Sequence, residues 1–244
     1  MTAFSILDLC PIVEGGTARD ALASTRRMAK QAEDAGYTRF WLAEHHGMAG
    51  IASAATALVI AEAGHATSTI RIGSGGVMLP NHSPLIVAEQ FAALEALAPG
   101  RIDLGIGRAP GSDPVITQLL HRSGATSDVS RFPDHVTDIL ALTSPEGATV
   151  RFTSGTEYQV KATPLASGMP QVWLLGSSDY SAQLAASFAL PYVFANHLAG
   201  EGARVAIYSR RPITSEDHRT LFPEAGERIR VYEASVTDRD ALVH

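Results

Sequence analysis

One stretch narrows the folds open to this chain more than any other. Ile70–Gly111 reads IRIGSGGVMLPNHSPLIVAEQFAALEALAPGRIDLGIGRAPG: strand, glycine turn, helix, strand and a second glycine turn. Ile70-Arg71-Ile72 alternates like a half-buried strand and runs into Gly73-Ser74-Gly75-Gly76. Ser83 is placed to N-cap a helix, with Pro84 at its first position, where a missing N–H costs nothing. Leu85, Ala88, Phe91, Ala92 and Leu94 give that helix an apolar stripe, and Pro99-Gly100 stops it. Ile102–Ile106 is the next strand, ending in Gly107-Arg108. Such a βαβ unit implies a parallel sheet, whose ligands gather at the carboxyl ends of the strands.

The same rhythm extends in both directions. Phe4–Leu9 and Arg39–Ala43 read as strands around a helix capped by Thr17 and stopped at Gly36, and Ala52–Ala66 reads as a buried alanine-rich helix. Asp113–Arg122 and Phe132–Leu142 read as helices. Ala148–Phe152 and Tyr158–Ala162 form a hairpin pattern about Ser154-Gly155-Thr156. Gln171–Leu175 and Tyr192–Ala195 are further strands flanking a helix over Ser181–Phe188. Ile229–Ala234 is the one later strand signal, and no clean eighth follows. The pattern predicts a TIM-type (β/α)8 barrel, incomplete or irregular at its C-terminal end, in one domain over residues 1–244.

Composition excludes several functions. With 244 residues, the chain can bury a full core yet is short for an eight-fold barrel. A net charge of −6 speaks against nucleic acid or an anionic membrane as partner. The longest apolar run, Ile51–Ile60, meets Glu62 and His65 before it could span a bilayer. MTAFSILDLCPIVEGG has no basic n-region and carries Asp8 in its apolar run, unlike a secretory signal. The single Cys10 forbids an internal disulfide and fits a reducing cytoplasm, where it is expected as a buried structural thiol.

Three places could carry chemistry. Glu44-His45-His46 closes the second strand. Metal ligation, a polar strand end and an acid–base histidine are the alternatives, but adjacent residues point to opposite faces, so His45 and His46 cannot easily share an ion. Gly75-Gly76 is either a bulge where a helix packs closely or a strained backbone, such as a non-prolyl cis peptide, against which a flat ligand can lie. Arg108 and the Gly176-Ser177-Ser178-Asp179-Tyr180-Ser181 turn could together hold a phosphate, through helix N-terminal N–H groups and one arginine. Gly105-Ile106-Gly107 is not a dinucleotide fingerprint, since Pro110 stands where its third glycine belongs.

At these residues the chain resembles the bacterial luciferase-like flavin monooxygenases. The pieces that carry the resemblance are AEDAGYTRFWLAEHH, the segment from Thr69 to Asp113, and VWLLGSSDYSAQLAASFALPYVFANH, spanning roughly residues 4–197. The resemblance implies a barrel that binds reduced FMN at its C-terminal face, usually as a homodimer. It implies O2 as co-substrate through a C4a-peroxyflavin, an unknown small organic substrate, and NAD(P)H-linked reduction of the flavin by a separate reductase. It places Gly75 and Gly76 beneath the flavin ring, Arg108, Ser177, Ser178 and Ser181 at the phosphate, and His45 as the catalytic histidine. No metal is implied. Two departures go with it: Asp179 brings negative charge towards the phosphate position, and residues 198–244 match the family poorly. Two other readings fit the residues, a non-catalytic flavin-binding barrel and an oxidoreductase using a deazaflavin or nicotinamide.

Overall fold

The computed structural model describes residues 4–109, 114–122 and 129–194; the strand expected over 229–234 and most of the 1–244 domain's C-terminal part lie outside them. Among the described residues, Ser5–Phe194 falls within a single compact unit. Its strands are β1 (Ser5–Asp8), β2 (Arg39–Leu42), β3 (Arg71–Met78), β4 (Ile102–Gly107), β5 (Ala148–Arg151), β6 (Glu157–Val160), β7 (Gln171–Gly176) and β8 (Tyr192–Phe194). Its helices are α1 (Ala18–Asp34), α2 (Thr56–Ala66), α3 (Pro84–Leu97), α4 (Pro114–Arg122), α5 (Phe132–Thr143) and α6 (Asp179–Ser187).

Six strands form one parallel sheet in the order β1-β2-β3-β4-β7-β8, while β5 and β6 pair as a separate antiparallel hairpin. This is the α/β arrangement that the alternation of elements predicts, with the hairpin as an excursion. One face of each strand supplies the core between sheet and helices. Phe40, Leu42, Ile72, Ile102, Leu104, Ile106 and Leu174 pack there against Ile60, Phe91 and Ile139. Burying each such side chain contributes about 1.5–3 kcal/mol relative to leaving it in water.

The opposite face carries polar groups near the amino ends of the strands. Asp103 is fully buried and accepts hydrogen bonds from Arg39 Nε and Trp41 Nε1, both at 3.0 Å, and from Arg71 Nε at 2.8 Å. Arg39↔Arg71 and Gly73↔Asp103 are register partners, so one carboxylate joins three neighbouring strands. Glu33, near the end of α1, accepts the N–H groups of Ser68, Thr69 and Ile70 at 2.8, 2.6 and 3.0 Å, fixing the entry to β3. Burial opposes its ionisation, but these N–H donors and Lys30 outweigh it and hold its carboxyl well below the usual range.

Three boundaries differ from the sequence reading. Helix α2 begins at Thr56, not Ala52, because Ser53 donates to the Ala43 carbonyl at 2.6 Å and Ala52 N–H to the Cys10 carbonyl, tying these residues to the ends of β1 and β2. Helix α6 begins at Asp179, with Ser178 as its N-cap. Strand β3 runs on through its glycines to Met78, with a register shift between Ser74 and Val77. Ser83 does occupy the N-cap of α3, although its side chain makes no capping bond. Cys10 is fully buried and free, and burial pushes its thiol pKa up. No helix among the described residues is long and apolar enough to cross a membrane.

Candidate active site

The carboxyl ends of β2, β3, β4 and β7 bring together most of the residues singled out in the sequence. Parallel pairing sets Leu42 of β2 beside Ser74 of β3, Met78 beside Gly107 of β4, and Gly107 beside Leu175 of β7.

Beyond β2, Glu44 is 3% exposed. Its Oε1 accepts from His46 Nε2 at 2.8 Å and from His82 Nε2 at 2.7 Å, the latter from the segment after β3. Burial pushes the Glu44 pKa up, yet the two imidazoles outweigh it and the net direction is down. The hydrogen bond to Glu44 holds the His46 pKa above its ordinary value, against burial. All three ligand atoms lie within 4.8 Å of one another. The two N–O separations are hydrogen-bond lengths, shorter than the roughly 3.3 Å between neighbouring ligands of a tetrahedral ion bonded at about 2.0–2.1 Å. The arrangement as it stands is therefore a shared hydrogen-bond cluster. His45 stands outside it, with its Nδ1 buried. His46 and Glu44 are joined by His82, which the sequence reading missed. The signal was available only jointly: adjacent parallel strands, each followed by a histidine.

The Gly75–Gly76 peptide is cis and sits at the register shift of β3. A Cβ on Gly75 would lie 2.6 Å from Leu7 Cδ1 and 3.1 Å from Trp41 Cε3. On Gly76 it would lie 2.8 Å from the Gly105 carbonyl oxygen. Both sequence alternatives thus hold at once, an irregular strand under close packing and a non-prolyl cis bond, although the packing comes from β1, β2 and β4 and not from a helix.

At the ends of β4 and β7, the Arg108 guanidinium stacks on the Tyr180 ring at 4.5 Å. Among the described residues, Arg108 has no carboxylate partner, in contrast to the sheet arginines Arg39 and Arg71 on Asp103. Tyr180 belongs to the first turn of α6, whose leading N–H groups have no acceptor within the helix. Ser177 is exposed and Ser178 is half-buried, its hydroxyl not spent on capping. Ser181 is 4% exposed and packs on Gly176. Tyr192 Oη donates to the Gly176 carbonyl at 2.7 Å, pinning the turn to β8. Gly107 and Leu175 are register partners, so Arg108 and the Gly176–Ser181 turn follow the ends of neighbouring strands.

A parallel sheet of six strands flanked by helices, with Glu44, His46 and His82 clustered beyond its strand ends, is the architecture of an incomplete α/β barrel. A sequence model of the luciferase-like monooxygenase family matches residues 2–223, and the chain belongs to that family. The match runs into the 198–244 segment. A "Luciferase-like monooxygenase" of Escherichia coli (strain K12) is 45% identical over 239 residues, 98% of this chain and 68% of that protein. The solved structure of apo-MsnO8 superposes with a TM-score of 0.69 at 38% identity, covering 80% of this chain and 55% of that one. The oxygenating constituent of 3,6-diketocamphane monooxygenase from Pseudomonas putida, solved with FMN, superposes at 0.64 and 18% identity, covering 79% and 57%. The chain therefore spans about two thirds of the E. coli relative and little more than half of either solved chain.

Proposed function

We propose that this chain is a flavin-dependent monooxygenase that uses reduced FMN and O2 on a small organic substrate. The observation that carries this reading is Arg108: a cation without a carboxylate partner among the described residues, held beside the first turn of α6. A guanidinium with helix N–H groups is a receptor for a phosphate dianion. Family membership and a solved relative that binds FMN support the same cofactor.

The residues present fit that group. Arg108, Ser177, Ser178 and the first turn of α6, including the Ser181 backbone, would hold the phosphate, and the flat Gly75–Gly76 backbone would face the ring system. Reduced FMN, when bound, supplies the electrons that activate O2. The protein binds the phosphate, orients the ring, and excludes water with the apolar neighbours Leu7 and Trp41. His45 and the Glu44 cluster hold and move protons at the end of β2. A flavin reductase supplies reduced FMN, and a homodimer forms through the exposed apolar residues Leu58 of α2 and Leu97 of α3.

The test is anaerobic titration with reduced FMN and reduced riboflavin. The expected result is tighter binding of FMN, and loss of that preference by about tenfold or more in Arg108→Ala, which removes a charged hydrogen-bond donor. Equal binding of both ligands, or equal loss of both, would overturn the assignment of Arg108.

A further inference from the structure

We propose that Glu44, His46 and His82 work as one proton-exchange unit at the carboxyl end of the sheet, and that this unit, not His45 alone, carries the acid–base work of the site. The catalytic half of this rests on the monooxygenase reading above; the coupling between the three side chains does not.

The geometry begins with one oxygen. Glu44 Oε1 accepts from both imidazoles, so each ring carries its proton on Nε2 and keeps Nδ1 for a second proton. A carboxylate this deeply buried stays ionised only with donors or positive charge beside it. Among the described residues, the charges acting on Glu44 are those of His46 and His82, and the charge acting on His46 is that of Glu44; His45 is their neighbour in the chain. With both rings neutral the cluster carries a net negative charge on a carboxylate that accepts two N–H groups. With one ring protonated it is neutral overall. With both protonated it carries one excess positive charge around a single shared acceptor. The two rings therefore compete for one oxygen, and the proton affinity of His46 depends on whether His82 is there to share it.

The placement suits exchange with a ligand cleft. Glu44 is sealed, while the His46 and His82 side chains are 17% and 29% exposed, so protons enter and leave through the rings and the carboxylate holds the compensating charge. The ring centroids stand 6.2 Å apart, and the two histidines follow the neighbouring strands β2 and β3, the second of which carries Gly75–Gly76. A proton given up by either ring is replaced from solvent, returning the cluster to its neutral state with no other group consumed.

The test is a pH titration of the imidazole resonances of the 244-residue chain labelled with 15N-histidine. Glu44→Gln should lower the His46 midpoint by about a unit, a tenfold loss of proton affinity. His82→Gln should raise it, because His46 then has the carboxylate to itself. His82 is partly exposed, so that variant keeps the experiment decisive if Glu44→Gln fails to fold. A His46 midpoint indifferent to His82→Gln overturns the coupling. The pH profile for air reoxidation of bound reduced FMN is then compared between the natural chain and His82→Gln. A shift matching the NMR midpoint supports the acid–base role; an unmoved profile overturns it while leaving the coupling. If no flavin binds, the monooxygenase reading fails and the acid–base role with it, whereas the NMR coupling stands or falls independently.

Discussion

The Arg108 guanidinium lies over the Tyr180 ring at 4.5 Å, so a residue from the end of β4 is held in place by the first turn of α6. The contact covers one face of the guanidinium with an aromatic ring. Tyr180→Leu keeps the bulk and loses the π face, so FMN affinity should fall by about threefold, with riboflavin affinity unchanged. Tyr180→Phe should restore it. Calorimetric titration of the four variant–ligand combinations decides the matter, and a parallel loss for riboflavin would show that Tyr180 acts on the fold of the turn instead.

Asp103 should be the most costly charge to remove. Asp103→Ala leaves Arg39 and Arg71 facing each other across register partners and orphans Trp41 Nε1. The expected loss is about 3 kcal/mol, the lower end for breaking a buried pair because both arginines are partly exposed. Urea denaturation at neutral pH measures it. A loss below 1 kcal/mol would show that water takes over the carboxylate's role.

Alanine at the glycines should rank by what each new Cβ meets. Gly105→Ala places it 2.1 Å from the Ser74 carbonyl oxygen, and Gly76→Ala 2.8 Å from that of Gly105; both obstacles are backbone. Gly75→Ala meets the end of the flexible Leu7 side chain first. Destabilisation should therefore decrease from Gly105 through Gly76 to Gly75, with the last costing about 1–3 kcal/mol. Thermal melts of the three variants test the order.

Stability should depend on pH through the Glu44 cluster. The His46 pKa is raised on folding, so its contribution is complete below its ordinary value of 6.5 and is lost as pH rises through the folded value. The Glu44 pKa is lowered, so its contribution is complete above 4.5 and is lost as pH falls through the folded value. Both are fully present between those limits. The natural chain should therefore lose stability from pH 6 to pH 8 relative to Glu44→Gln. Denaturation midpoints that move in parallel for the two proteins would contradict this.

Much of the architecture is legible in local pattern. Alternation at Ile70-Arg71-Ile72, the Thr17 cap and the Pro84 helix start are short-range signals, and short-range physics builds those elements. Helix ends were less legible where tertiary contacts intervene: residues 52 and 53 are helix-compatible, yet their hydrogen bonds go to Cys10, Ala43 and Leu9. In the proposed site, Arg108, Ser177 and Ser178 stand out in the sequence because they lie in glycine-rich turns at strand ends. His82 was not, because nothing in LPNHSPL marks it until β2 and β3 lie side by side.

The residues alone determined the β–α rhythm, the glycine-rich strand ends and the family, since each is written in contiguous sequence. Tertiary structure decided which groups meet. Strand pairing placed one histidine from the end of β2 and one from beyond β3 on a single buried oxygen, and set Arg108 on Tyr180. Hydrogen bonds and ring contacts fall off within a few ångströms. They are therefore governed by distances across the sheet, which sequence separation does not encode.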